Sequence, residues 1–191
     1  GGQVVDGFSG ATPLGQIATS PTSTVQITDM FGHQFSIMDA ITGFIPGSIG
    51  ETSVIAILIG AIILLITGVA SWKTMLSVFA GGSIMALIFN YFGPDTAAAN
   101  FPWYYHLVLG GFAFGAVFMA TDPVTSARTE TGKWIYGFLI GVMAIVIRVL
   151  NPGYAEGMML AILLMNIFAP LIDYYVVDAN VKRRLKRAVN K

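Results

Sequence analysis

Residues 53–70, SVIAILIGAIILLITGVA, run for eighteen positions without a charged side chain. As a helix at ~1.5 Å per residue, such a run reaches about 27 Å, close to the ~30 Å thickness of bilayer hydrocarbon. In water it would need burial on every side. In lipid it needs only its own backbone hydrogen bonds, which a helix supplies. Four further apolar stretches follow: 74–92 and 103–121 without Asp, Glu, Lys or Arg, 134–150 with Arg148 near its end, and 157–177 with Asp173 near its end. Trp and Tyr at several of their ends (Trp72, Trp103, Tyr104, Trp134) suit the interfacial belt of a membrane protein. Composition points the same way. Only 10% of the 191 residues are charged, against roughly 25% in a soluble domain, and the mean hydropathy is +0.74. The expected fold is an all-α integral membrane protein with five transmembrane helices.

Outside those spans the chain divides simply. Residues 1–30 are rich in Gly, Ser, Thr and Pro, with Asp6 and Asp29 their only charges, and read as a loop outside the hydrocarbon. Residues 31–50 are apolar but interrupted by Gly43, Pro46, Gly47 and Gly50. That stretch is too broken to span, and reads as a surface helix or a re-entrant half-helix covered by protein. Residues 51–179 make the five-helix bundle and 180–191 a basic tail. The chain opens at Gly1 rather than Met and reads as a piece of a longer protein.

The charges give the bundle a direction. Five spans put the two chain ends on opposite sides. Nine of the ten Lys and Arg residues fall on the C-terminal side, and only Arg148 on the other. The positive-inside rule then places the C-terminus in the cytoplasm and the N-terminal loop outside it, in the periplasm of a Gram-negative cell. The Lys182–Arg187 cluster beside a span end reads as a topology anchor rather than a nucleic-acid patch, and the formal net charge of zero provides no field for nucleic acid. With no cysteine there is no disulfide, thiolate metal site or redox thiol on this chain. His33 and His106 are too far apart in sequence to form a spaced metal motif.

Polar groups inside spans are candidates for function. Asn166, Pro170 and Asp173 recur at i, i+4 and i+7 of the last span, so one face carries them. That face should turn inward and offers oxygen ligands suited to a hard cation. Asp122 precedes Pro123 as a helix-start signal, and Glu51 stands where a carboxylate favours the dipole of the first span. For Glu51, Asp122 and Asp173 the bland reading is a cap or interfacial acid, and the functional one is an ion pathway. His106 reads as a satisfied interfacial histidine. Gly81-Gly82, Gly111/Gly115 and Gly137/Gly141 are small-residue patterns that let helix backbones approach closely.

The N-terminal loop carries Asp6-Gly7-Phe8-Ser9-Gly10-Ala11-Thr12, followed by Pro13. By residue type alone this is a polar Gly/Ser/Thr turn with a hydroxyl on it. It resembles the recognition pattern of flavin transferase, in which an Asp, two or three variable residues and then Ser/Thr-Gly-Ala-Thr/Ser follow one another. Asp6, Ser9, Gly10, Ala11 and Thr12 match that pattern in turn. In proteins bearing it, FMN is joined through its phosphate to the hydroxyl of the last residue, here Thr12.

Three further stretches extend the likeness: GSIGETS at 47–53, FMATDPV at 118–124, and the run from Glu156 through Asn166 and Pro170 to Asp173. Together with the Thr12 motif they resemble the B subunit of the Na⁺-translocating NADH:quinone reductase. The D subunit of the Rnf electron-transport complex shares much of the pattern. The resemblance implies one half of an inverted-repeat bundle like that of urea transporters. It implies covalent FMN on Thr12, riboflavin shared with the other half, and Na⁺ as the transported ion along acids such as Asp122, Asp173 and Glu51. It further implies a bacterial inner-membrane location, with other reductase subunits, ubiquinone, lipid and the flavin transferase as partners. Phe8, Phe31 and Phe35 are candidate stacking partners for the flavin. Two other classes stay open: a urea/ammonium-type channel, and a structural membrane subunit without cofactor.

Overall fold

The computed structural model describes residues 12–19, 36–45, 47, 48, 50–151 and 153–189. Among these the regular structure is entirely helical. In order, the helices are α1 (Pro13–Thr19), α2 (Ile37–Thr42), α3 (Val54–Ile66), α4 (Trp72–Phe92), α5 (Ala97–Asn100), α6 (Trp103–Val108), α7 (Phe112–Phe114), α8 (Glu130–Leu150) and α9 (Met158–Val189), with a π-helical segment, Gly115–Met119, directly after α7.

Among the described residues, three helices are long and apolar enough to cross a membrane: Trp72–Phe92, Glu130–Leu150 and Met158–Ala188. The other two expected spans differ from expectation. α3 has 13 residues and ends at a turn in which Gly68 takes φ +71°. The stretch expected to span 103–121 is interrupted. α6 stops at Val108, Gly110 adopts φ +67°, and the chain resumes as α7 and the π segment. Glycine meets no Cβ clash at positive φ, so the Gly110-Gly111 pair allows the break, and hydropathy alone does not register it. α9 differs in the other direction. It runs past 177 through the basic stretch, whose side chains from Val181 to Ala188 are exposed. In the 31–50 stretch, Ser36 and Asp39 cap α2 reciprocally, and the helix ends at Gly43 with φ +99°. It packs against α3 and α6.

The core lies where α4 meets α8. A Cβ added to Gly137 would sit 2.8 Å from the Thr74 carbonyl oxygen, and one on Gly141 would sit 2.5 Å from the Gly82 nitrogen. The glycine patterns therefore mark a backbone-to-backbone contact, as expected. The Gly111/Gly115 pattern is the exception, since Gly111 lies in the break and Gly115 faces the Met158 and Ile162 side chains. The hydroxyl of Ser77 donates to the Trp134 carbonyl across the same interface. Tyr136, Ile140, Ala144 and Ile145 are fully buried on α8. α9 closes the other side, where the Tyr136 hydroxyl donates to Asn166 Oδ1 at 2.5 Å. By contrast Leu58, Ile59, Ile62, Ile63 and Ile66 on α3 are more than half exposed. Lipid or further protein would cover such a face.

Candidate functional site

A break in a membrane helix leaves carbonyls unpaired at one end and N–H groups at the other. In this chain α8 and the turn before α9 supply the partners. Arg148, 3% exposed, sits in the last turn of α8. Its Nη1 donates to the His106 carbonyl at 2.7 Å, and its Nη2 reaches the Leu109 carbonyl at 3.4 Å and the Glu156 carbonyl at 3.3 Å. On the other side of the break, Glu156 Oε2 accepts the Gly111 N–H at 2.9 Å. A cation thus meets the carbonyl end and a carboxylate meets the amide end, the arrangement favoured by the partial charges of helix termini.

The glycine pair is also a close-approach site. A Cβ on Gly110 would lie 2.6 Å from Glu156 Oε2, and one on Gly111 would lie 2.9 Å from Glu51 Oε2. Both carboxylates therefore converge where no side chain could stand. Glu51 Oε1 also accepts from the Ser48 amide at 3.0 Å. Thr12, Gly47, Glu51, Gly110 and Glu156 line a cavity of ≈ 10 Å³, about the space one water molecule needs. Thr12 itself is half-buried. It caps α1: its Oγ1 accepts from Gly15 at 3.2 Å and its carbonyl from Gln16 at 3.0 Å.

The remaining expected residues lie elsewhere. Asp6, Ser9, Gly10 and Ala11 fall outside the described residues, as do Phe8, Phe31 and Phe35. Asp122 does not start a helix. Its Oδ2 accepts the Thr125 hydroxyl at 2.7 Å and the Thr125 amide at 3.0 Å, closing a turn. The next helix starts at Glu130 and is capped by Thr129. These bonds, the hydroxyl first, hold the Asp122 carboxyl below the ordinary carboxylate range. Asp173 grips the segment leading into α8. It accepts the Arg128 amide at 2.7 Å, the Thr129 amide at 3.0 Å and the Thr129 hydroxyl at 2.6 Å. Asn166 and Asp173 therefore do face α8, whereas Pro170 is exposed. Glu51 is not the cap of α3, a role taken by Ser53. Asp122 and Asp173 belong to the end where α8 begins, and Glu51 to the end where it finishes. No group of three or more metal-ligating side chains occurs among the described residues. His106 is buried, with Nε2 3.2 Å from the Ala98 carbonyl oxygen.

Sequence reasoning gave Glu156 and Arg148 no role at this break. A signal existed for Arg148, because a charge inside an apolar span is a site candidate by default. For Glu156 the spacing offered none, since it reaches Gly111 across 45 residues of chain.

A family model described as NQR2, RnfD, RnfE matches residues 2–182. Among similar proteins, the B subunit of the Na⁺-translocating NADH-quinone reductase of Chromohalobacter salexigens is 55% identical over 183 residues, covering 95% of this chain and 43% of that protein. The protein of the same name from Klebsiella pneumoniae is 56% identical over 183 residues, covering 95% and 44% respectively. The one from Pseudomonas paraeruginosa is 53% identical over 185 residues, covering 96% and 44%. The chain thus spans less than half the length of these relatives.

Proposed function

The chain belongs to the NQR2, RnfD, RnfE family, and on that footing we propose that it is the C-terminal half of a B subunit of the Na⁺-translocating NADH:quinone reductase, with FMN joined through its phosphate to Thr12. The observation that carries this reading is the complete Asp6-to-Thr12 motif in a chain about half identical to proteins of that name. Their shared name also favours this assignment over the D subunit of an Rnf complex.

The residues present fit the group at its point of attachment. The Thr12 hydroxyl is only half-buried and serves the Gly15 amide as an acceptor, so a phosphoester oxygen in its place still accepts from Gly15. The ≈ 10 Å³ cavity beside it is far too small for a phosphate, and Glu51 and Glu156 would repel one. The phosphate is therefore directed away from the broken helix. Residues 1–72 contain no Lys or Arg, and Arg148 is engaged by carbonyls, so backbone N–H groups, water or the rest of the protein balance its charge. When bound, the flavin supplies one-electron relay toward ubiquinone. Glu51 and Glu156 keep the neighbourhood of Thr12 negative, and Arg148 holds the break in place.

In this reading α3 and the interrupted third span are the remaining two membrane elements of a five-span half. The 31–50 stretch is the re-entrant piece, and the whole resembles one repeat of a urea-transporter-like bundle. The Thr12 end faces the periplasm and the basic end the cytoplasm of a bacterial inner membrane. Asp122 and Asp173 stand at the cytoplasmic end of the Na⁺ path and Glu51 at the opposite end. Riboflavin and quinone are held with the remainder of the subunit and its partner subunits.

The test is the intact mass and in-gel flavin fluorescence of the full-length subunit, wild type and Thr12→Ala, from cells containing the flavin transferase. A fluorescent band heavier by FMN less water, lost in the variant, is the expected result. An unmodified wild-type chain sinks the flavin reading and leaves a channel-like bundle as the better account.

A further inference from the structure

At the end of the bundle opposite Thr12, a cavity of ≈ 420 Å³ opens between the end of α3, the start of α4, the 121–128 segment and the start of α8. Its charged lining is Lys73, Arg128, Lys133 and Glu130, three cations against one carboxylate. Lys133 pairs with Glu130 Oε1 at 2.7 Å, and Lys73 pairs with the other oxygen. An ammonium carries three donors, so each lysine keeps protons to offer. No hydrogen bond or ion pair fixes the Arg128 guanidinium among the described residues. The nearby Asp173 carboxylate accepts the Arg128 and Thr129 amides and the Thr129 hydroxyl and attracts the Arg128 charge without a direct ion pair to the guanidinium. Ser71, the residue before α4, makes no capping bond, so the first turn of that helix adds unpaired N–H groups.

The surroundings identify what such a cavity would hold. Trp72 is 54% exposed and Trp134 38%, and their rings meet edge to face at 6.0 Å. Paired exposed tryptophans at a span end mark the level of lipid headgroups. Immediately beside the cavity, Ile66 is 81% exposed and Val69 56%, an apolar wall on which an acyl chain can lie. A cationic pocket at headgroup depth, continuous with an apolar face, matches one ligand class. We propose that this cavity binds the phosphodiester headgroup of an anionic phospholipid, with Lys73, Arg128 and Lys133 on the phosphate and an acyl chain along the end of α3. A zwitterionic choline head would bring its own cation against the three basic groups and is disfavoured. The proposal rests on the helices crossing a membrane and is independent of the flavin on Thr12.

The test uses the whole complex in phosphatidylcholine nanodiscs doped with a phosphatidylglycerol carrying a diazirine on its acyl chain. Irradiation and peptide mapping should place label on residues 65–73 and 121–134. Each basic residue near an anionic lipid contributes roughly fivefold in affinity. Lys73→Gln/Arg128→Gln/Lys133→Gln should therefore cut labelling at least ~10-fold, while Lys73→Arg/Lys133→Arg retains it. Lys186→Gln/Arg187→Gln in the exposed tail should leave it unchanged. Should the triple variant fail to assemble, Arg128→Gln alone should lower labelling roughly fivefold. Equal labelling by a phosphatidylcholine probe or an unaffected charge variant would each overturn the proposal. Flavin content measured on the same samples reports separately on Thr12.

Discussion

Replacing Arg148 by Met tests whether the break between α6 and α7 depends on its buried cation. Methionine keeps most of the length of the side chain and removes every donor. The 2.7 Å bond to the His106 carbonyl is a charged donor on a neutral acceptor and contributes about 1.5–3 kcal/mol. The bonds at 3.3 and 3.4 Å are longer than the N–H···O optimum and contribute at most ~0.5 kcal/mol each. Relief from desolvating the guanidinium, together with apolar burial of the methionine, returns ~1 kcal/mol. With both longer bonds at that ceiling the net loss is about 1.5–3 kcal/mol, a change of roughly 13- to 160-fold in the folded-to-unfolded ratio. The assay is SDS-driven unfolding of the full-length subunit in mixed micelles, followed by tryptophan fluorescence. A cycle with Glu156→Gln adds a sharper criterion. That variant can still accept from Gly111 but carries no charge, so it should lessen the penalty of Arg148→Met by about 1 kcal/mol. An Arg148→Met subunit within ~0.5 kcal/mol of wild type, or strict additivity with Glu156→Gln, would refute the idea that the two residues jointly hold the break.

Gly141→Ala should also destabilise, because its Cβ would lie 2.5 Å from the Gly82 nitrogen and 3.1 Å from the Gly81 carbonyl carbon, backbone that cannot give way. About 1–3 kcal/mol of overpacking outweighs the ~1 kcal/mol gained in helix propensity, and an unchanged unfolding midpoint would contradict this. Asp173→Ala strips the acceptor from the Arg128 and Thr129 amides. Their hydrogen exchange should quicken about tenfold, corresponding to ~1.4 kcal/mol of lost hydrogen bonding, while the interior of α4 stays protected. Glu51→Gln removes one negative charge beside Thr12, so the potential of a flavin attached there should rise in a redox titration. An unchanged potential would put Glu51 outside the electrostatic reach of the site, and a fall would contradict the sign of the argument.

The all-helical membrane class was legible because lipid imposes one rule that hydropathy reads directly: an apolar run must satisfy its own backbone. Close helix approach was legible from the glycine patterns, but glycine is common in membrane helices, and nothing local said that α4 and α8 were the pair that meet. The interruption between α6 and α7 was not legible. Averaged hydropathy across 103–121 is blind to two glycines, and the partners that make the interruption tolerable come from far along the chain, at Arg148 and Glu156. The capping reading of Asp122 failed for a related reason. Asp-Pro is a local signal, and a hydroxyl three residues on, at Thr125, captured the carboxylate first. For Asp173 the inward face was right. Its partners, two amides and a hydroxyl of the segment before α8, could be seen only once α8 and α9 were packed together.

The break is costly enough to require a reason. Each backbone group left unpaired in hydrocarbon costs several kcal/mol, and an unbroken helix through 109–111 would avoid that cost entirely. Instead the chain places a buried arginine at one side and a carboxylate at the other, and keeps glycine where Glu51 and Glu156 press against the backbone. Counting formal charges, two carboxylates against one guanidinium leave the cluster at −1. A polar, net-negative opening one water in size has thus been set into the bundle at the position of the Thr12 hydroxyl. Such a setting favours cations over anions and resists the approach of a phosphate from within. A flavin joined to Thr12, as proposed, would stand outside this opening, where Glu51 and Glu156 would act on it through their field rather than by contact.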